Sequence, residues 1–329
     1  MDRKRIIKGI AILIIALIIL ASLIFGFRLV EKIINKSGSV SPDDAFSYTE
    51  NDGSIEYGGN LYLPNKNLKS ILLLGIDSTQ NPDEDRKNSA QADLLVLLVV
   101  DPKNERFSSI HLNRDTMTDI REIDSNGKKY GEFQGQLALA HTYGSDEAMR
   151  CRNTVAVVED LLYGVEIDHY VSVTMDAVPI INDSVGGITL TLLDDFTHIN
   201  PDYTKGSIVT LMGSDALSYV RERGALEDSS NLRRMERQKQ YISELLERVK
   251  EQGFDTEDTD LLIELGECMA SDYTAQGLSD IAEQLAGYKY MGTYSLEGEA
   301  VVGDEFMEYY PDEEAIKKLV IDLYYTPKN

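Results

Sequence analysis

The sequence predicts an α/β fold in which helices cover both faces of a central sheet. Short, partly β-branched apolar runs at 69–74 (KSILLL), 94–100 (LLVLLVV) and 106–112 (RFSSIHL) are bounded by turn residues, the pattern of strands buried on both sides. Segments at 136–143 and 153–162 space their apolar residues as helices do. Strand and helix patterns keep alternating to about residue 250, which marks a layered α/β domain.

Composition agrees with a packed domain carrying an appendage. Of 329 residues, 43% are hydrophobic and 27% charged, which excludes a disordered or fibrous chain. The net charge is −24, yet residues 1–36 hold 7 basic and 2 acidic groups, leaving 25 basic and 54 acidic for the rest. So acidic a body repels free polyanions at long range, which argues against general nucleic-acid binding. An anionic ligand needs a local cationic cluster or a metal ion.

The first element is predicted to be a membrane anchor. Residues 9–27 are 19 uncharged residues rich in Ile and Leu, about 28 Å of helix and roughly one bilayer core. Arg3, Lys4, Arg5 and Lys8 precede the run, so residues 1–8 are predicted to be cytoplasmic and the remainder of the chain outside. The run exceeds a signal-peptide core and no Ala-x-Ala follows, which favours a retained anchor over a cleaved leader. Residues 28–67, with Ser-Pro, Asn-Asp-Gly and Gly-Gly, read as juxtamembrane linker and lead-in loops, and 68–329 as one extracytoplasmic domain.

Within that domain the three runs above are strands. The helix at 153–162 offers Val155, Val158, Leu161 and Leu162 as its apolar stripe; 169–175 is a strand, 177–181 part of a short helix, and Gly186-Gly187 a turn into a strand at 188–192. Residues 260–269, 278–285 and 313–325 add helix, and 300–302 a strand. Cys151 and Cys268 are the only cysteines. Outside the membrane they are free to form a disulfide, worth about 4 to 5 kcal/mol for so long a loop; two buried thiols are the alternative, and no signature supports a catalytic thiol.

Polar groups gather at strand ends. Asp77 closes the first strand and Asp93 opens the second. If those strands are parallel neighbours, both carboxylates reach one edge, where a hard cation such as Mg²⁺ takes oxygen ligands; otherwise they are ordinary acidic flanks. Arg114 and Asp115 follow the third strand, at the edge where α/β folds hold ligands.

The strongest local signal is five arginines, 221, 223, 233, 234 and 237, within seventeen residues of an acidic domain. On a helical wheel Arg234 and Gln238 fall inside the apolar half, and Arg237 on its shoulder. Inward guanidiniums need anions, either protein carboxylates or ligand phosphates, which arginine grips with two parallel hydrogen bonds. Ser229, Ser230 or Asn231 would cap this helix. His111, His141, His169 and His198 lack metal-ligand spacing, and no Gly-x-Gly-x-x-Gly, Walker or Gly-x-Ser-x-Gly motif occurs.

Taken together, ILLLGIDS (71–78), ADLLVLLVVDP (92–102), IHLNRDT (110–116), YGVEIDHYVSVTMDAV (163–178), VGGITL (185–190) and ALSYVRER followed by RRMERQ resemble the LytR-CpsA-Psr family of envelope proteins. The resemblance implies a mixed central sheet and a phosphotransferase of the Gram-positive envelope. Such an enzyme takes a glycopolymer, for example teichoic acid or capsule, from an undecaprenyl (polyprenyl) diphosphate carrier and joins it to peptidoglycan through a phosphodiester. It also implies an apolar tunnel for the lipid and Mg²⁺ (or Mn²⁺) beside the diphosphate. By position, Asp93 and Asp77 match the acidic residues of the metal and diphosphate site. Arg114, Asp115, Arg221 and Arg223 match the catalytic positions, and Arg234, Arg237 and Gln238 further diphosphate contacts.

The chain departs from the family pattern at Thr79, Asn113, Gly224 and Gln134-Gly-Gln136; Arg86 or Lys87 stands where it would replace the first lost charge. Rival readings are a noncatalytic lipid-diphosphate scaffold and a diphosphate hydrolase. The transfer reading requires Arg221, Arg234 and Arg237 to converge on two adjoining phosphates. Arginines turned apart, each closed off by its own carboxylate, would overturn it.

Overall fold

The computed structural model describes residues 47–48, 53–77, 90–222, 231–252, 259–303 and 306–328. The predicted anchor at 9–27 lies outside them, and no helix among the described residues is long and apolar enough to cross a membrane. The chain runs through β1 (Ser47–Tyr48), β2 (Ile55–Tyr57), β3 (Asn60–Pro64), β4 (Lys69–Ile76), β5 (Ala92–Asp101), β6 (Arg106–Leu112), β7 (Met117–Ile123), β8 (Lys129–Gln136) and a 3₁₀ turn (Leu137–Thr142). Next come α1 (Glu147–Leu161), β9 (His169–Thr174), α2 (Ala177–Ser184), β10 (Ile188–Thr191), β11 (Ile208–Leu211), α3 (Gly213–Arg221), α4 (Asn231–Gln252) and α5 (Thr259–Glu267). The last elements are β12 (Met269–Ser271), α6 (Ala275–Gly287), β13 (Lys289–Ser295), β14 (Gly298–Val302), β15 (Met307–Pro311), α7 (Glu313–Tyr324) and β16 (Tyr325–Pro327).

Six strands form the central sheet in the order β12-β9-β4-β5-β6-β13. It is mixed: β4 pairs β9 and β6 pairs β13 in parallel, while the remaining pairs are antiparallel. β4 and β5 are thus antiparallel neighbours, against the parallel pairing considered above. The segment between them is almost devoid of apolar residues, whereas a crossover helix joining a parallel pair needs an apolar stripe to pack on the sheet.

Alternation sends successive side chains to two cores. Leu72, Leu74, Leu95, Leu97 and Ile110 face a layer made by the 3₁₀ turn, α1 and α7. Ile71, Leu73, Val96, Leu98 and Val171 face the other, made by α2, α3, α4 and α6. Each such burial is worth about 1.5–3 kcal/mol, and Leu97→Ala, at a fully buried position, would cost about 2–5 kcal/mol.

The faces decide the fate of the cysteines. Cys151 packs into the first layer and Cys268 into the second, both as buried free thiols with the sheet between them. The expected disulfide is therefore not formed. Burial pushes the Cys151 thiol up to about 12 and that of Cys268 up as well, which disfavours the nucleophilic thiolate at both.

Other differences are local. The helix read at 153–162 begins at Glu147, because Asp146 caps it by accepting from Met149 N at 2.8 Å. Its deepest residues are Cys151, Thr154, Val157 and Val158, with Val155 only half-buried. Residues 137–142 form a 3₁₀ turn instead of an α-helix, braced by Asn153 Nδ2 donating to Ala140 O at 2.9 Å. β2 and β3, read as loops, pair with each other, and β3 pairs with the C-terminal β16. The hairpins β7–β8, β10–β11 and β14–β15 complete the fold.

Candidate functional site

The antiparallel pairing sets the site. Ile76 pairs with Ala92 and Gly75 with Leu94, so Asp93 is the extra residue of a β-bulge. A bulge re-aims its side chain. Asp93 lines the same cavity as its neighbour Leu94, which regular alternation forbids. Gly75 permits the close approach, since a Cβ there would sit 2.9 Å from Leu94 Cβ. Asp77 N donates to Gln91 O at 3.1 Å, holding the two strand ends together.

Three arginines meet these two carboxylates. Arg114 Nη1 donates to Asp93 Oδ1, and Arg234 Nη1 to Asp93 Oδ2 at 3.2 Å. Arg221 Nε donates to Asp77 Oδ1 at 3.0 Å. Gln91 Oε1 fixes Arg114 further, accepting from Nη2 at 2.7 Å. Asp115 Oδ1 lies 3.4 Å from Arg114 Nε and accepts from Gln136 Nε2 at 2.9 Å. The Asp93 and Arg234 side chains are only 7% and 6% exposed, so each needs the other.

Below them lies a cavity of about 100 Å³, walled by Ile76, Val173, Ile181, Tyr241 and Leu245, with Asp93, Arg234 and Gln238 as polar lining. Gln238 Nε2 donates to Val220 O at 3.1 Å. An apolar hollow with a few convergent polar groups is the ordinary form of a ligand site, and charge at one end suits an amphiphile with an anionic head.

Arg237 does not join this cluster. Its side chain is 1% exposed and fully engaged: Nη1 donates to Asp194 Oδ2 at 2.8 Å, Nε to Tyr219 O at 2.9 Å, and Nη2 to Glu222 O. Arg233 shares Asp194, whose carboxylate raises the Arg233 guanidinium above its usual value. The Phe196 ring lies 5.7 Å from Arg237 Cζ. The expected three-way convergence is not seen: each of these arginines is bonded to a carboxylate of its own, Arg221 to Asp77, Arg234 to Asp93 and Arg237 to Asp194, and of the three acids only Asp77 and Asp93 stand at neighbouring strand ends. Arg223, Gly224, Ser229 and Ser230 lie outside the described residues.

Sequence reasoning missed Gln91 and Asp194. Asp194 carries a signal in retrospect: an acid directly after the apolar Leu192-Leu193 is a candidate for burial and then demands a cation. On the opposite face of the sheet, His141, Glu147 and Cys151 place three potential metal-ligand atoms within 4.8 Å of one another.

The sequence model of the LytR_cpsA_psr family matches residues 30–323. The chain is 31% identical over 221 residues, 67% of its length and 66% of the relative's, to "Polyisoprenyl-teichoic acid--peptidoglycan teichoic acid transferase TagU" of Enterococcus faecalis. It is 26% identical over 218 residues, 66% of its length and 65% of the relative's, to the protein of that name in Halalkalibacterium halodurans. The match thus spans just under two thirds of either relative. Among solved structures, B. subtilis TagV shares the fold, with TM-score 0.52 at 24% identity over 79% of this chain and 96% of that one.

Proposed function

Since the chain belongs to the LytR_cpsA_psr family, we propose that it transfers a glycopolymer from a polyprenyl diphosphate-linked donor to peptidoglycan, leaving a phosphodiester link. The observation that carries this is the apolar cavity with Arg234 and the Arg114–Asp93 pair at its polar end. The lipid would occupy the hollow and its diphosphate would draw the guanidiniums of Arg114, Arg221, Arg223 and Arg234, with Gln238 beside them. Arg114, held by Gln91 and Asp115, would meet the transferred phosphoryl group. Donors aimed at developing negative charge supply most of the catalysis in such reactions.

Asp77 and Asp93 fit a hard divalent cation. They offer only oxygen donors, and a carboxylate has about four lone-pair sites, enough for a cation beside the arginine contacts. When bound, Mg²⁺ or Mn²⁺ would neutralise diphosphate charge. Residues 9–27 would anchor the protein as a single span with 1–8 in the cytoplasm, 28–67 leading outward and the domain at 68–329 facing peptidoglycan.

The test incubates the detergent-solubilised full chain with a synthetic polyprenyl diphosphate glycan, peptidoglycan fragments and Mg²⁺. Covalent transfer that is lost with EDTA and in Arg114→Ala supports the reading. Binding without product across several acceptors points to a scaffold, and release of free glycan phosphate to a hydrolase; either result overturns transfer.

A further inference from the structure

The strongest unassigned feature is the polar cluster on the far side of the sheet from the cavity. His141, in the 3₁₀ turn, is fully buried, and its Nδ1 lies 2.8 Å from Ala90 O. A carbonyl only accepts, so Nδ1 carries a hydrogen and Nε2 is left to face inward. That orientation, one ring nitrogen donating to a backbone carbonyl, is how metal-binding histidines are held. Glu147 and Cys151 stand one helical turn apart on α1 and so share a face.

The distances among the three donors are near those that a shared metal ion sets. Sγ of Cys151 is 3.6 Å from His141 Nε2 and 3.8 Å from Glu147 Oε1, and Nε2 is 3.1 Å from that oxygen. A tetrahedral Zn²⁺ with its usual bond lengths sets these three separations at about 3.6, 3.6 and 3.4 Å. Ser172 Oγ donates to Glu147 Oε1 at 3.1 Å, steadying the carboxylate from β9. The Glu147 side chain is 36% exposed while His141 and Cys151 are sealed, which leaves one side open for access and a fourth ligand.

We propose that His141 Nε2, Cys151 Sγ and the Glu147 carboxylate form a binding site for a divalent transition metal of the Zn²⁺ class, which ties the 3₁₀ turn to α1. Nitrogen and sulfur donors exclude Mg²⁺ as its occupant, so the site is chemically distinct from Asp77 and Asp93. Binding takes sulfur as thiolate and sends the thiol proton to solvent. With the cavity on the other face, the role is structural.

The full chain in detergent, stripped with a chelator and dialysed into metal-free buffer, is titrated with Co²⁺ and, separately, with Zn²⁺. The expected result is one tightly held equivalent, a near-ultraviolet thiolate-to-cobalt band, and its loss in Cys151→Ser with affinity at least ~10-fold weaker in His141→Gln. Cys268→Ser keeps the band. Cobalt binding with no thiolate band in the wild-type chain, a band surviving in Cys151→Ser, or no retained equivalent overturns the proposal and leaves a hydrogen-bonded triad. The wild-type spectrum decides even where a variant fails to fold.

Discussion

Arg234 Nη1 reaches Asp93 Oδ2 across 3.2 Å, and through this contact helix α4 is fastened to the bulge of β5 at the polar end of the cavity. Arg114 grips the other oxygen, so one carboxylate orients two guanidiniums. On the proposed function, a diphosphate arriving here would meet cations already placed.

If Arg114 stabilises the transition state, Arg114→Ala should lower single-turnover transfer about 10²–10³-fold with little change in donor binding. Arg114→Lys should recover only part, because an ammonium lacks the planar fork. Donor affinity falling in step with rate would assign Arg114 to ground-state binding instead.

Arg237 makes the opposite forecast. Arg237→Met leaves Asp194 short of a buried partner and should cost about 3–5 kcal/mol in urea unfolding. The double variant Arg237→Met with Asp194→Leu should regain much of that. Unchanged stability in the single variant would contradict the structural role.

Ala177 is buried, and it lines the cavity. Ala177→Leu should weaken long-chain polyprenyl diphosphate binding by an amount worth about 1–3 kcal/mol, while a short water-soluble analogue binds as before. Isothermal titration of both lipids checks this, with equal losses counting against a lipid-filled hollow.

Burial lowers His111 from its ordinary 6.5. Above that pH the ring is neutral in both folded and unfolded chains. As pH falls below about 6.5 the unfolded chain takes the proton first, so stability drops until the folded value is passed. Denaturant midpoints measured from pH 7.5 down to 5.5 should show this slope, and His111→Gln should flatten it.

The cysteines give the simplest check. Denatured without reductant, the chain should take up two equivalents of maleimide, and reductant should leave its melting temperature unchanged. A mass two hydrogens short would restore the disulfide.

What could be read from the sequence depended on range. Local periodicity located β4, β5, β6 and β9 nearly to the residue, because an apolar run in an acidic chain has few alternatives. It also placed Arg234 and Gln238 on the inward side of α4. The bulge at Asp93 was illegible, since it depends on how Gly75 meets Leu94. Arg237 looked like a shoulder residue because its partner Asp194 lies 43 positions away. Nor can spacing say that a sheet separates Cys151 from Cys268.

The ladder between β3 and β16 has a mechanical consequence. Tyr325, Thr326 and Pro327 lie against Pro64, Leu63 and Tyr62, so the amino-terminal approach to the domain is clasped by its own tail. If residues 9–27 anchor the chain as proposed, a tug from that side would reach this clasp before it reached β4. The strain would then be shared between both chain ends, and the bulge that aims Asp93 would be shielded from the load.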